Sequence, residues 1–391
     1  MRPALPALVR ARRALFALYV ASAVFVTIQQ AVVGHSNNFA VFRSATENLL
    51  AGRDLYAAHP EQHFDYYKYS PTFALLFAPF AVLPFALAFL CWSLLNALLL
   101  WYALRRLLPE RPATLAVGLI YLEVLFAMQY GQSNALVAAL IILAFVALER
   151  GRQAAGAGEI LLGASIKLFP LAAVSFGVFH PRRLRFALLV AAGALVLGLL
   201  PALFVGPHEL AVQYRSWRAI EAADAQQVHR GYALMQYLYL WFGLDWPNWP
   251  VQLAGTALLL LPVALGRARW PDPDFRRLFL CALLVYVVLF NHQSERATFV
   301  IAYAGIVIWY VGGPPDRLRS AVMAFTLAVM VISDVEIVPR WVKTDFLIPA
   351  RVKGLPCLVA WLAIEWQLFV AARRPAPAEL PHLGTAGEPR A

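Results

Sequence analysis

The sequence predicts an all-α protein that crosses a membrane several times. Of its 391 residues, 61% are hydrophobic and only 14% are charged, and the mean hydropathy is +0.64. Soluble domains are nearer 45–50% apolar and about 25% charged. In addition, the basic residues stand in small clusters between long apolar segments, which is typical of the loops that orient membrane helices.

Ten apolar segments have about the length that a membrane helix needs. They lie near 14–34, 84–105, 113–128, 131–148, 184–205, 251–266, 277–291, 298–311, 318–333 and 354–371. Shorter apolar pieces bring the expected total to about 10–13 transmembrane or re-entrant helices, and these pieces lie at 71–83, 155–179 and 231–244. The first segment is too long for the apolar part of a signal peptide, so we expect it to be retained as a helix.

The basic clusters predict the orientation, because loops rich in arginine stay in the cytoplasm. Arginines precede the first segment and follow the last one, so both termini are expected inside. The piece 155–179 has basic clusters on both sides and must therefore begin and end on one side of the membrane. We expect a re-entrant helical hairpin that turns near Lys167 and Pro170, because proline removes a backbone donor and ends a helix.

The longest polar loops then face the outside, and they hold most of the residues that are capable of chemistry. We expect residues 1–374 to form a single integral-membrane domain. Its first outer loop, 35–70, should contain an amphipathic helix that lies on the membrane surface. A large outer loop covers 206–250, and the Pro-, Gly- and Ala-rich tail 375–391 is expected to be disordered.

Two segments carry charged groups that suggest a phosphate site. A lysine at membrane depth costs at least about 2.5 kcal/mol, so Lys167 in GASIKLFP is interpreted either as a cation for a lipid phosphate or as a lysine that snorkels at a helix end. In NHQSERATF, His292 can donate to phosphate oxygens, and Glu295 can either act as a base or hold Arg296. The alternative for this second segment is an ion pair at the outer interface.

Polar residues in two further segments are suited to a sugar. In YGQSNAL, a turn at Gly131 is followed by Gln132 and Asn134, whose amides can bind sugar hydroxyls or only cap the next helix. In the first outer loop, Asp54 and Asp65 are carboxylates. Tyr69 is interpreted as a substrate contact or as an aromatic residue of the membrane interface.

Other classes of protein are excluded by what the sequence lacks. It has no P-loop, nucleophile elbow or zinc motif, and the AGAG at 155–158 follows no strand, so no cofactor and no metal is expected. It shows no basic face with interleaved aromatic residues, which excludes nucleic acid as a partner despite the net charge of +11. Cys91, Cys281 and Cys357 lie in apolar segments and are interpreted as small core residues.

Four segments together resemble a known family. They are NNFAVFRSATENLLAGRDLY, YKYSPTFALLFAPFAVLP, YGQSNALVAALIILAF and GASIKLFPL. In their order and spacing they are similar to glycosyltransferase family 87 (DUF2029), and the resemblance covers roughly residues 14–310.

The resemblance implies a GT-C membrane fold and a hexosyltransferase, mannosyltransferase-like, that uses a polyprenyl-phosphate sugar as donor. It further implies a lipid or glycan acceptor, inversion at the anomeric carbon, and a site on the outer face of a bacterial inner membrane. The expected partners are therefore the lipid-linked donor, the acceptor and membrane lipids.

The family's base is usually the aspartate of an Asp-Phe pair after the first span, and the matching pair here is Asn38–Phe39. An amide cannot deprotonate a hydroxyl. Three explanations stay open: another carboxylate serves, the acceptor is less demanding, or the protein binds lipid-linked sugars without catalysis, as a carrier or flippase would. The candidate bases, in order, are Glu295, Asp54 and Asp65. The candidate substrate contacts are Asn38, Tyr69, Gln132, Asn134, Lys167, His292 and Arg296.

Overall fold

The structure is a computed structural model that describes residues 5–225, 231–335 and 337–375, and these residues contain no β-strand. The first α-helices are α1 Leu5–Thr27, α2 Asn37–Leu50, α3 Pro71–Leu76, α4 Ala78–Ala81, α5 Phe85–Leu107, α6 Glu110–Leu119, α7 Tyr121–Gln129, α8 Asn134–Glu149, α9 Gln153–Ile166 and α10 Arg183–Leu199. The remaining α-helices are α11 Ala202–Val205, α12 Pro207–Ala225, α13 Leu234–Phe242, α14 Asn248–Leu265, α15 Pro273–Leu289, α16 Phe299–Gly312, α17 Arg317–Asp334, α18 Arg340–Val342 and α19 Leu355–Ala372. Short π- and 3₁₀-helices lie at Ile28–Val33, Phe169–Phe179, Arg267–Arg269, Arg296–Thr298, Lys343–Leu347 and Val352–Gly354.

Within the described residues, five helices are long and apolar enough to cross a membrane. They are Pro6–Val33, Phe85–Leu107, Arg183–Val205, Asn248–Leu265 and Val352–Ala372. A sixth span is possible if α6 and α7, which are bent by 48° relative to each other, count as one broken span. Each of the ten predicted apolar segments is mostly helical, although 113–128 is divided between α6 and α7 and 184–205 between α10 and α11. Several of these helices are too short to cross the membrane straight.

The short helices lie in the middle of the protein. In α8, nearly every side chain is buried, and α16 is buried continuously from Phe299 to Trp309. A helix that is apolar on all sides must be enclosed by other helices, and α5 and α9 pack on α8 while α15 packs on α16. These helices need not match the bilayer thickness individually because they contact protein rather than lipid.

The predicted hairpin is present. Helix α9 ends at Ile166, Lys167 is extended, and a 3₁₀-helix then runs from Phe169 to Phe179. The side chain of Gln153, at the start of α9, donates to the imidazole of His180 just after the 3₁₀-helix, over 2.8 Å. The two ends of the segment therefore meet, and the turn at Lys167 lies at the opposite end.

The first outer loop contains the predicted helix, α2, but its apolar face is not on the membrane surface. Phe42 packs edge-on against Phe73 and Trp92, with ring centroids 5.3 and 5.9 Å apart. The hydroxyl of Thr46 donates to the carbonyl of Ala74 over 2.6 Å. The apolar residues of α2 thus bury themselves against α3 and α5, which removes more of their area from contact with water than a membrane surface would.

The large outer loop is mostly helical, since α12 and α13 occupy much of 206–250. Residues 226–230 of this loop lie outside the described residues. So do residues 376–391, which make up all but the first residue of the tail predicted to be disordered.

Candidate active site

A cavity with a volume of about 650 Å³ lies among the described residues. It lies where seven parts of the chain meet: the end of the first outer loop, the hairpin turn, α12, Gly231, α14, the end of α15 and the loop that follows α15. The polar and aromatic side chains that line it are Lys68, Tyr69, Lys167, Trp217, Glu221, Gln252, Tyr286, Asn291, His292, Gln293, Ser294 and Glu295.

Lys167 reaches the cavity because the chain breaks there. Its extended backbone (φ −141°, ψ 140°) separates α9 from the 3₁₀-helix, and Pro170 prevents α9 from continuing. The ammonium is 5.9 Å from the centre of the Tyr69 ring, and the charge of Glu295 acts on it across the cavity.

Tyr69 remains a protonated phenol in this site. Burial raises the pKa of its hydroxyl far above the usual range, and the negative charges of Glu295 and Asp65 raise it further. A neutral phenol can donate a hydrogen bond to a sugar or phosphate oxygen.

The loop after α15 presents His292 and Glu295. Asn291 organises this loop, since its side-chain oxygen accepts from the Gln293 N–H over 3.0 Å and its carbonyl accepts from the Ser294 N–H over 3.0 Å. Glu295 then caps the 3₁₀-helix Arg296–Thr298: its carboxylate accepts from the Thr298 N–H, and the Thr298 hydroxyl accepts from the Glu295 N–H over 3.1 Å. This reciprocal capping box fixes the position of the carboxylate.

Gln132 approaches the same carboxylate. Its Nε2 is 3.5 Å from Oε2 of Glu295, and its own Oε1 is buried with no hydrogen-bond partner among the residues that the structure describes. The turn that positions Gln132 depends on Gly131, whose φ is +61° and whose position would place a Cβ 2.7 Å from the Ser36 hydroxyl. The predicted turn is therefore present, and it packs directly against the start of the first outer loop.

Several lining residues were not predicted from the sequence. Glu221 is a second carboxylate of the cavity, and it accepts from Nε2 of Gln293 over 3.1 Å. Lys68 adds a second lysine beside Tyr69, and Trp217 adds an aromatic wall. Lys68 lies in the polar segment YYKYS, and Trp217 and Glu221 lie in the polar helix α12. The polarity of these two segments could have indicated the three residues, but neither segment has a residue spacing that is typical of a binding site.

A family model provides the comparison that decides the class of protein: glycosyltransferase family 87 matches residues 67–291. The chain belongs to glycosyltransferase family 87. Membership of this family agrees with the predicted resemblance, and the described helices that are long and apolar enough to cross a membrane agree with the predicted all-α membrane protein. The match includes Lys167 and Gln132, begins after Asn38 and ends directly before His292.

Among solved structures, the chain is similar to the oligosaccharyltransferase of Archaeoglobus fulgidus in its apo form, with 11% identity and a TM-score of 0.40. The similarity covers 89% of this chain and 55% of that one, so this family 87 protein spans about half the length of the oligosaccharyltransferase. A search of curated proteins found no match.

Besides Gln132 and Arg296, four predicted site residues of the family 87 protein do not line the cavity. Asp54 accepts from the Tyr56 N–H and from the Ser216 hydroxyl, over 3.0 and 2.9 Å. Asp65 is exposed, although it lies close enough to Tyr69 to influence it. The remaining two use their amides as donors to backbone carbonyls at 2.9–3.0 Å: Asn38 to Tyr130, and Asn134 to Ala297.

Arg296 lies in a buried ion cluster directly behind the cavity. Its guanidinium is 3.2 Å from Asp334, and the ammonium of Lys353 is 2.7 Å from Asp334 and 3.1 Å from Glu123. Glu123 is fully buried and the Lys353 side chain is only 2% exposed. Two cations thus neutralise two carboxylates, and the cluster joins α7, the end of α17 and the 3₁₀-helix Val352–Gly354 to the residue that follows Glu295.

Proposed function

We propose that this protein transfers a hexose, mannose-like, from a polyprenyl-phosphate donor to a hydroxyl of a lipid or glycan acceptor. One observation carries the proposal. Lys167 from the hairpin turn lines a single cavity with Tyr69 and with His292 and Glu295 from the loop after α15. The cavity combines cations for a phosphate with a carboxylate that can accept a proton.

The proposed reaction is a single displacement. The acceptor oxygen forms a bond to the anomeric carbon, the bond from that carbon to the phosphate oxygen breaks, and the polyprenyl phosphate leaves with the electron pair. Glu295 takes the proton of the acceptor hydroxyl. Attack from the side opposite the phosphate inverts the anomeric carbon.

Lys167 and His292 bind the phosphate in this proposal. Negative charge grows on the phosphate as the bond breaks, so a lysine cation and an imidazole donor held in place before the reaction stabilise the transition state more than the ground state. Gln132, with a buried carbonyl oxygen that has no hydrogen-bond partner among the described residues, and Tyr69, with a neutral phenol, are suited to the sugar hydroxyls.

The orientation follows from the charges on the helix ends. The cavity lies at the turn of the hairpin, whereas Arg152 and Arg182 flank the hairpin's opposite ends. Arginine-rich ends stay in the cytoplasm. We therefore place the cavity on the outer face of a bacterial inner membrane and both termini inside.

The test compares the two cavity carboxylates. Purified protein in lipid nanodiscs is incubated with a panel of polyprenyl-phosphate sugars and an acceptor alcohol, and transfer is measured for wild type, Glu295→Gln and Glu221→Gln. We expect Glu295→Gln to lower kcat by about 10²–10⁴-fold, the usual contribution of a general base, with little change in donor binding. Glu221→Gln is the matched control and should keep most of the rate.

Two other results of this comparison would contradict the proposed role of Glu295. If Glu221→Gln is inactive and Glu295→Gln is active, the base is Glu221. If wild type binds the donors without transferring any sugar, the protein is a carrier or flippase for lipid-linked sugars rather than an enzyme.

A further inference from the structure

A second cavity lies far from the candidate active site. It has a volume of about 300 Å³ and lies between the first turns of α1 and the last turns of α5. Its lining consists of three arginines and two aromatic rings: Arg12, Arg13, Arg105, Phe16 and Trp101.

The two cavities are at opposite ends of α1. From Arg13, the helical chain continues to Val33, which at about 1.5 Å per residue is about 30 Å. The segment after Val33 returns to the candidate active site, because Asn38 donates to Tyr130, two residues before Gln132. Since 30 Å is about the thickness of the hydrocarbon core, the arginine cavity lies at the other membrane surface.

The aromatic floor of this cavity is held in place by packing. Trp101 makes edge-on contacts with Phe16 and with Tyr19, with ring centroids 5.9 and 5.4 Å apart. The Tyr19 hydroxyl donates to the carbonyl of Val117 over 2.8 Å. The floor is therefore rigid and apolar, and Phe16 is 48% exposed on the outside of the helix pair, where acyl chains lie.

The charges of the rim are not balanced by the protein. Arg12 is paired with Glu110 over 2.7 Å. Arg13 and Arg105 are exposed and have no side-chain hydrogen bond or ion pair with any described residue. Two guanidinium groups thus face one small concave site without a carboxylate of their own.

We propose that this cavity binds the phosphate of an anionic glycerophospholipid of the surrounding membrane. Arg13 and Arg105 hold the phosphate oxygens, for which the planar guanidinium is well matched. An acyl chain of the same lipid lies along Phe16. The cationic rim beside an apolar, lipid-facing floor fits a molecule that is anionic at one end and apolar at the other. The site is separate from the proposed transferase chemistry.

The test measures lipid retention by native mass spectrometry. Detergent-purified protein is mixed with phosphatidylglycerol, and the dissociation constant of the first bound lipid is compared for wild type, Arg13→Gln/Arg105→Gln and the control Arg267→Gln/Arg317→Gln. The control removes the same charge from helix ends at the same surface, and both variants leave the Arg12–Glu110 pair and the outer cavity intact. We expect about 30-fold weaker binding in the first variant, since each basic residue near a membrane surface contributes about fivefold, and less than about threefold in the control.

Two outcomes would overturn the proposal. If both double variants lose the lipid equally, only the general surface charge matters. If soluble glycerol 3-phosphate at millimolar concentration displaces the lipid completely, the site recognises a soluble phosphate and the acyl chain has no part. Phosphatidylcholine that binds as tightly as phosphatidylglycerol would also count against an anionic site.

Discussion

Nε2 of Gln132 lies 3.5 Å from Oε2 of Glu295, the carboxylate of the candidate active site. Both residues lie outside the α-helices. Gln132 follows the turn at Gly131, and Glu295 caps a 3₁₀-helix at the end of a loop. The amide can therefore orient the carboxylate through its Nε2, while its own oxygen has no hydrogen-bond partner among the described residues.

Replacing Gln132 by leucine should lower the transferase rate by about tenfold or more, because the carboxylate loses an orienting donor and the sugar loses an acceptor. Ser133→Ala is the matched control. Its hydroxyl is also buried without a hydrogen-bond partner among the described residues, but unlike the Gln132 amide it makes no hydrogen bond to Glu295. Steady-state kinetics measure the transferase rates of both variants. An equal loss of rate in the two variants would mean that the turn, rather than the Gln132 amide, is important.

Lys167→Met should raise the KM for the lipid-linked donor and lower kcat, because the phosphate loses a cation that is held in place before the reaction. Lys167→Arg keeps the charge and should retain part of the rate. The measurement is the donor dependence of transfer. A Lys167→Met variant with unchanged donor KM and kcat would show that the lysine has no part in phosphate binding.

Lys353→Met should destabilise the protein by about 3–5 kcal/mol, because it leaves the buried carboxylate of Glu123 without a cation. The double variant Glu123→Leu/Lys353→Met removes both charges. It should recover much of the stability that Lys353→Met loses, since Asp334 keeps Arg296 as a partner. The free energy of unfolding in detergent is compared for the single and double variants. If the double variant is no more stable than Lys353→Met, the pair is not coupled.

Gly231→Ala should impair folding of the cavity wall. At this position φ is +53°, and an added Cβ would lie 2.1 Å from the carbonyl oxygen of Ser294, which accepts from the Tyr232 N–H over 3.0 Å. Gly52→Ala is a matched control, because Gly52 also has a positive φ (+66°) but has open space around it. Gly52→Ala should cost only the backbone strain of about 1–2 kcal/mol, whereas Gly231→Ala should also reduce donor binding. Similar thermal stabilities and similar donor binding for the two variants would contradict the importance of the Ser294 contact.

Asn38→Asp places a carboxylate where the resemblance to family 87 leads one to expect the base. The amide of Asn38 donates to the carbonyl of Tyr130, and a carboxylate cannot donate, so we expect lower stability and no gain in rate. Asn38→Ala separates the loss of the donor from the added charge. A faster Asn38→Asp enzyme would instead place the base at residue 38 and remove that role from Glu295.

The helices were largely predictable because apolar length and basic clusters are local properties of the chain. The hairpin at Lys167 was predicted from the arginines on both sides and from Pro170, and it is present because those constraints are also local. The packing of α2 was not predictable in the same way. Its apolar face suits a membrane surface as well as a protein surface, and only the positions of Phe73 and Trp92 decide between the two.

The sequence by itself determined an all-α membrane protein, its family and the chemistry-bearing segments, since composition, periodicity and motif order do not depend on tertiary contacts. Only the tertiary structure brought Lys167, His292 and Glu295 to one cavity and added Glu221 to it, while it left Asp54 and Asn134 bonded to the protein's own groups. The physical reason is that a polar side chain forms hydrogen bonds with the donors and acceptors that lie beside it in the folded protein. For Asp54 and Asn134 these partners include residues more than 160 positions away, which no local sequence spacing predicts.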